Sequence, residues 1–409
     1  MTKASIRERL MASTIAGGAA LLALTAIPAA AVLAMPTVAS AQDYTSGTLG
    51  GRVQSNAGEA VAGATVVVRS ADQGITRTTT TDASGAFRLP LIPVGQYEVT
   101  IDASGFDSLS DRVSVALGGQ SNYDFTIQST GDVAELGEVV VTGARRRLDF
   151  TQTTTGATLD VEELIDQVPV GRTITAITLL APGAVAGDSQ FAVSTSQLQT
   201  PPSISGASVA ENAYFVNGLN TTNFVNGLGG AGVPFEFYKT VEVKTGGYNA
   251  EYGRATGGVI NAITKSGTND FVVELHGTWA PDSLRSDTPD TVTLANSLGE
   301  YEQKTFTFEM GGPIIRDRLF AYGLASWSDT ESAVASSGGV LSRDSFSSDP
   351  FYGVKLDGYI TSDHRLEFTY FDTQQTRTRT NYSFDPDTFE VDPTVNSIQT
   401  LEQGGKNYV

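Results

Sequence analysis

The sequence predicts a mainly-β protein: a small N-terminal β-sandwich, a mixed α+β domain and an incomplete antiparallel β-barrel. Three observations predict it. Residues 45–130 hold short runs of β-branched and aromatic residues punctuated by turn signals. Residues 271–409 alternate apolar and polar side chains at period two, across connections that are alternately long and short. Tyr (14) and Phe (19) are plentiful against two Trp, and 43 glycines with 15 prolines supply turns, which suits strands better than a helical bundle.

Composition closes several functional classes. The chain has 409 residues, 26 Lys+Arg against 45 Asp+Glu, no Cys and two His. Without cysteine there is no disulfide framework, zinc-thiolate site or thiol nucleophile. A formal charge of -19 argues against duplex nucleic acid as a partner, because phosphates call for a basic stripe. No metal or cofactor site is expected.

Residues 1–41 read as a signal peptide. Lys3, Arg7 and Arg9 give a basic start, a long apolar stretch follows, and Ala39-Ser40-Ala41 offers a small-residue cleavage site. Gly17, Gly18 and Pro28 interrupt the stretch and argue against a membrane anchor. No other apolar run reaches spanning length, so a membrane-embedded chain would have to cross as strands.

In residues 45–130, turn signals at Asn56-Ala57-Gly58, Asp82-Ala83-Ser84-Gly85 and Pro93-Val94-Gly95 separate runs such as ATVVVRS and GQYEVTID. GRVQSNAGEAVAGATVVV, then TTTDASGAFRLPLIPVGQYEVTIDASGF, resembles the carboxypeptidase-regulatory-like domain. The resemblance implies a carbohydrate-binding-like sandwich; such modules commonly serve as spacers.

Residues 136–147 follow as LGEVVVTGARRR. The run Glu138, Val139, Val140, Val141, Thr142 and Gly143 is β-prone and lies ahead of a basic cluster. Two readings stand on the residues alone: a linker strand, or an exposed segment that a partner captures by strand addition. Residues 148–268 then mix helix and strand. Val161, Leu164, Ile165 and Val168 have helical spacing ended by Pro169, and a second short helix is expected over 172–183, stopping at Pro182-Gly183. Strands return in YKTVEVKTG (238–246) and GGVINAITKSG (257–267).

The stretch VEVKTGGYNAEYGRATGGVINAITKSGTNDF (241–271) resembles the end of the plug domain of TonB-dependent outer-membrane receptors. Glu242, Val243, Gly246, Tyr252, Gly253, Gly257, Gly258, Val259, Ile260, Asn261, Thr264 and Lys265 meet the family pattern, and LLAPGAV (179–185) matches an earlier piece. FVNG (215–218) stands where the family carries V-D-G. Asn217 replaces the acid beside Gly218, which puts a charge role in doubt and leaves a turn role intact. Residues 138–143 fall where such receptors carry the TonB box. The regulatory-like domain ahead of the box and TKSGTNDF resemble the Oar-type branch. The resemblance implies TonB as a periplasmic partner pairing at the box, outer-membrane lipid around the barrel, and an extracellular substrate the sequence does not name. Arg254 and Glu251 beside Gly253 read either as ion pairs to a barrel wall or as a solvated loop pair.

In residues 271–409, Phe271, Val273, Leu275 and Trp279 share one face, against Glu274, His276 and Thr278. Phe306, Phe308 and Met310 oppose Thr305, Thr307 and Glu309. Phe320, Tyr322 and Leu324 form the larger apolar face of the third strand. Tyr352, Val354, Leu356 and Ile360 oppose Lys355 and Asp357, and Leu366, Phe368 and Tyr370 oppose Arg365, Glu367 and Thr369. Long polar loops are expected over 281–303, over 329–350 and after Thr373, with short turns between. A soluble sheet also alternates, but sorted loops of this kind belong to outer-membrane barrels. Five strands and the start of a sixth cannot close a barrel, which needs about eight at least, and the resemblance implies about 22. The chain is therefore expected to be a fragment or a truncated reading frame.

Two further signals are set aside. The glycines at 227, 229 and 232 satisfy G-x-G-x-x-G without a preceding strand or a following helix. His276 and His364 lack any catalytic context. The function expected is energy-coupled uptake across the outer membrane of a Gram-negative bacterium, without enzymatic activity. The competing reading is a secreted or surface carbohydrate-binding or adhesion protein.

Overall fold

The computed structural model describes residues 44–117, 119–130, 143–146, 153–167, 171–188, 200–225, 227–286, 288–291, 295–347, 350–361 and 364–409. The expected leader, 1–41, lies outside them. The first described part is a two-sheet sandwich. Its strands are β1 (Ser46–Ser55), β2 (Thr65–Ser70), β3 (Thr76–Thr80), β4 (Ala86–Pro93), β5 (Gly95–Asp102), β6 (Leu109–Val115) and β7 (Gln120–Ile127). One sheet runs β3-β2-β5-β6. The other runs β4-β1-β7 and gains β8 (Gly143–Arg146) at its edge. Alternate residues of each strand fill the core, among them Leu49, Val53, Val66, Val68, Val99, Ile101, Phe125 and Ile127.

The sandwich motif has a physical reason at each position. Asp82 Oδ1 accepts from the Ser84 amide (2.8 Å), the Ser84 hydroxyl (2.7 Å) and the Ala86 amide (3.0 Å), and so closes the turn. Gly85 has φ +73°, and a Cβ there would lie 2.5 Å from the Val53 carbonyl oxygen. Phe87 enters the core, and Tyr97 donates its hydroxyl to the Pro93 carbonyl at 2.6 Å.

The second part is built on a mixed five-stranded sheet. It includes β9 (Thr155–Asp160), then β10 (Ala184–Ala186) and β11 (Pro202–Ile204), which pair with each other in a separate two-stranded sheet, then β12 (Ala213–Val216), β13 (Leu219–Asn220), β14 (Tyr238–Gly246) and β15 (Val259–Thr264). The sheet order is β13-β12-β15-β14-β9, with β12 and β15 parallel. Helix Val161–Gln167 is capped by Asp160, which accepts from the Glu162 and Glu163 amides. Val168 and Pro169 lie outside the described residues. The second helix is shorter than expected, Ile174–Thr178, with Thr173 as its N-cap. Leu179 to Gly183 form turns instead, because a helix cannot continue into Pro182. The glycine-rich stretch around Gly229 is loop, followed by a 3₁₀ turn over Phe235–Phe237.

The third part is an antiparallel wall. Its strands are β16 (Val272–Ala280), β17 (Glu300–Ile315), β18 (Leu319–Ser336), β19 (Val340–Ser347), β20 (Phe351–Thr361), β21 (His364–Asp372), β22 (Gln375–Phe384), β23 (Val391–Gln403) and β24 (Lys406–Tyr408). Six of them, β16-β17-β18-β20-β21-β24, form an up-and-down meander, and the sheet is open among the described strands. The expected outward face is observed: Val273, Leu275, Met310, Val354 and Leu366 are exposed, while Thr307, Glu309, Lys355, Asp357 and Thr369 are buried on the inner side.

Two expectations are corrected here. Phe320, Tyr322 and Leu324 face inward, at 0%, 6% and 4% exposure, and leave Trp327 outside. The inner side of this strand meets protein instead of water: Phe237 of the mixed domain stacks on Tyr322 at 5.9 Å between ring centroids. The long loops at 329–350 and after Thr373 are hairpins. β18 extends past its pairing with β20 to pair with β19, and β22 and β23 add to β19 as an arm. Polar residues hold this arm, since Asp344 accepts from both Arg377 and Arg379 at 2.7 Å. Its ladder therefore shows little of the apolar alternation that marks a strand.

Candidate functional site

Glu138, Val139, Val140, Val141 and Thr142 lie outside the described residues. Gly143 opens β8, which pairs antiparallel with β7 through Thr126↔Gly143, Phe125↔Ala144, Asp124↔Arg145 and Tyr123↔Arg146. The segment that follows the candidate partner-binding run is thus the edge strand of the sandwich.

The predicted residues of the mixed domain gather on β14, β15 and the turns beside them. Glu242 and Asn261 stand opposite each other in the ladder and are buried. Lys244 donates to Glu242 at 2.8 Å, and its ammonium lies 5.5 Å from the Tyr252 ring centre. Burial pushes the Glu242 carboxyl up, and Lys244 partly offsets this. Tyr252 packs edge-on against Phe215 at 5.6 Å, and burial raises its phenol as well. Gly246 faces Thr155 of β9.

Gly257 and Gly258 let β15 start against Asn212. The Gly258 amide donates to Asn212 Oδ1 at 2.8 Å, and a Cβ at Gly258 would lie 2.2 Å from Ile204 Cδ1. Gly253 sits in an exposed turn with open space around it. Arg254 has φ +66°, and its guanidinium lies 5.9 Å from the Phe224 ring centre, within its own domain.

Two predicted residues reach the wall with their side chains. Asn217, at φ +47°, donates to the hydroxyls of Thr264 (2.8 Å) and Thr369 (2.9 Å), and its oxygen accepts from the Thr264 amide (3.0 Å). Lys265 lies 3.1 Å from both Glu309 oxygens on β17. Glu309 also accepts from the Tyr322 hydroxyl and lies 2.7 Å from His276 Nε2. Glu274, His276 and Glu309 are close enough together to hold a metal ion. The Lys265 ammonium already takes the cation position on Glu309, so the donor set reads as an ion-pair network.

Sequence reasoning placed the wall residues of this seam on the polar faces of their strands but did not pair them with the plug. Lys355 donates to the Thr264 carbonyl at 3.3 Å and pairs with Glu367 at 3.0 Å; Arg365 pairs with Asp357 at 2.6 Å. The available signal was charge at inward positions of period-two strands.

A cavity of about 900 Å³ lies on the hairpin side of the mixed domain, between Arg172, Asn223 and Glu236 and the wall residues Thr305, Ser326 and Phe351. In its lining Arg172 pairs with Glu236 at 2.7 Å. The sandwich contacts the opposite, short-turn side. There Asp72 pairs with Lys239, Gln73 accepts from the Asn269 amide at 3.0 Å, and the Arg77 guanidinium lies 5.1 Å from the Tyr359 ring centre.

Two family models match the chain: the carboxypeptidase regulatory-like domain over residues 48–128 and the TonB-dependent receptor plug domain over residues 149–259. The chain is 30% identical over 312 residues to the TonB-dependent transporter Oar of Myxococcus xanthus, covering 73% of this chain and 28% of that protein. It thus spans little more than a quarter of that curated relative's length. Among solved structures it is similar to the siderophore receptor PirA from Pseudomonas aeruginosa, with 20% identity and a TM-score of 0.33 over 58% of this chain and 40% of that one. It is also similar to the ferric enterobactin receptor PfeA, with 15% identity and a TM-score of 0.37 over 62% of this chain and 46% of that one.

Proposed function

Because the chain belongs to the TonB-dependent receptors, we propose that it serves energy-coupled uptake of a substrate across the outer membrane of a Gram-negative bacterium. In this reading residues 1–41 direct export, 45–130 form the periplasmic sandwich, 136–147 carry the TonB box and linker, 148–268 are the plug, and 271–409 are barrel strands. The chain's part is transport, with no chemical conversion of the substrate.

The observation that carries the reading is the polar seam between plug and wall. Asn217 meets Thr369, Lys265 meets Glu309, and Lys355 meets the Thr264 carbonyl. Such contacts hold a seal shut yet release in small steps, since each is a hydrogen bond or ion pair that water can replace. Substrate enters from the hairpin side, into the cavity above Glu236. TonB pairs with Glu138, Val139, Val140, Val141, Thr142 and Gly143 by strand addition, in which backbone hydrogen bonds supply the affinity. Force on that run then loosens the seam. The contacts of the sandwich on the short-turn side support a periplasmic place for the box.

A secreted adhesion protein is not favoured, because it gives no reason for a plug domain or for an apolar outward face. The coupling step is tested by binding the TonB C-terminal domain to the purified receptor. Deleting residues 138–143 is expected to abolish binding; undiminished binding would overturn the assignment.

A further inference from the structure

The two residues ahead of β1 do not trail along the sandwich. Tyr44 lies against the plug sheet, its ring stacked on Phe215 (6.3 Å, 9° between planes) and edge-on to Tyr252 (5.9 Å). The Asn261 side chain donates to the Tyr44 carbonyl at 3.2 Å. Thr45 bridges to the wall: its hydroxyl donates to Glu367 at 3.0 Å and lies 3.1 Å from Arg365 Nη1. Gly218 makes room for this. It has φ +85°, and a Cβ there would lie 2.9 Å from Tyr44 Cβ. One dipeptide thus touches the plug on one side and the wall on the other.

The sandwich ties this dipeptide to the box. β1 and β7 pair in parallel over eight residue pairs, from Thr48↔Gln120 to Ser55↔Ile127. Thr126 faces Gln54 on one side and Gly143 on the other. Gly143 therefore sits beside the far end of β1, about 30 Å along the strand from Tyr44. The box thus joins the sandwich at the end of β1 remote from Tyr44.

We propose that Tyr44 and Thr45 are gating residues for transport, a bolt between plug and wall that the sandwich withdraws when TonB pulls on the box. The inference rests on the coupling role of residues 138–143 and assigns the sandwich an active part in it. Withdrawal removes the aromatic cover over Phe215 and frees the Thr45 position between Arg365 and Glu367. The face of the plug sheet that carries Ala213 and Val259 then opens, while the opposite core around Ala262 stays closed.

These 409 residues hold no native cysteine, so each thiol introduced is the only one among them, and the receptor without it gives the labelling background. Ala213→Cys reports on the cluster under Tyr44, and Ala262→Cys reports on the opposite core. Each is placed singly in the receptor in its own cells and exposed to a maleimide that reaches the periplasm. In energised cells Ala213→Cys is expected to label about tenfold faster than after collapse of the proton gradient, with Ala262→Cys protected in both states. Adding Tyr44→Ala should remove the dependence and give fast labelling throughout. If TonB binds the box normally and Ala213→Cys stays protected in energised cells, the bolt is overturned while the coupling reading stands. Equal labelling of both reporters would also overturn it, since that outcome is whole-plug unfolding. Loss of TonB binding dependence on the box would instead refute the coupling reading itself.

Discussion

Asn217 of the plug donates to the Thr369 hydroxyl of the wall at 2.9 Å, from a turn residue held at φ +47°. The side chain does two jobs at once. It satisfies a left-handed backbone position that asparagine tolerates, and it spans the seam. The acid that the family pattern carries here fits the same position, because both threonine hydroxyls can turn to donate.

Asn217→Ala should therefore loosen the plug, and Asn217→Asp should not. Alanine loses three hydrogen bonds and strains the turn, at a cost of about 2–3 kcal/mol. Aspartate should stay within about 1 kcal/mol of the parent. Limited proteolysis of the plug in the purified receptor checks both; equal loosening by the two variants would contradict the donor geometry.

Lys265→Ala strands the Glu309 carboxylate, which is buried inside the wall. Removing one member of such a pair costs about 3–5 kcal/mol, while Lys265→Ala with Glu309→Gln should recover most of the loss. The double-mutant cycle, read by urea-dependent release of the plug, is expected to show strong coupling between the two positions. Additive effects would mean that the contact contributes little.

Gly218→Ala meets two obstacles, the positive φ and the Tyr44 Cβ at 2.9 Å. A cost of about 1–2 kcal/mol is expected, and it should fall when Tyr44→Gly is also present, because only the backbone strain at residue 218 then remains. An unchanged cost in the double variant would show that the turn alone sets the requirement for glycine.

Burial raises the Glu242 carboxyl above its ordinary value of 4.5. A raised folded value means that the folded plug holds the proton more tightly than the unfolded chain does. The contribution to stability is full below pH 4.5 and is lost as the pH rises through the raised value. Plug stability should thus decline over that window, and Glu242→Gln should flatten the decline. Urea titrations across the window measure it; a parent slope unchanged in Glu242→Gln would assign the pH dependence elsewhere.

Local rules made much of the fold legible. The β-branched run at 238–246 reads as a strand and folds as Tyr238–Gly246, and the outward faces of β16, β20 and β21 follow their alternation. The turn chemistry of Asp82 and Gly85 is local too. What alternation leaves open is which side is wet. Phe320, Tyr322 and Leu324 look lipid-facing, yet they point inward because Phe237 arrives from the mixed domain, far away in sequence. The arm of β19, β22 and β23 is hidden for another reason: Asp344, Arg377 and Arg379 hold it with charge. Among the candidate site residues, Asn217 and Lys265 are named by motif, and Thr369 and Glu309 by the polar face of their strands, but the pairing between them emerges only when plug and wall are set side by side. The bolt is the least legible, since nothing in Tyr44-Thr45 marks it as a contact between plug and wall.

The account depends on the outward face of the wall lying in lipid. Single cysteines at Leu275, Val354 and Leu366 can be compared with cysteines at Thr307 and Thr369, in the receptor in its own outer membrane, with the receptor lacking them as the background. A fluorophore on each outward position should be quenched by bromolipid and should ignore aqueous iodide; thiols at Thr307 and Thr369 should be untouched by lipid-soluble probes. Outward positions reached freely by iodide and ignored by bromolipid would contradict a membrane wall, and with it the transporter.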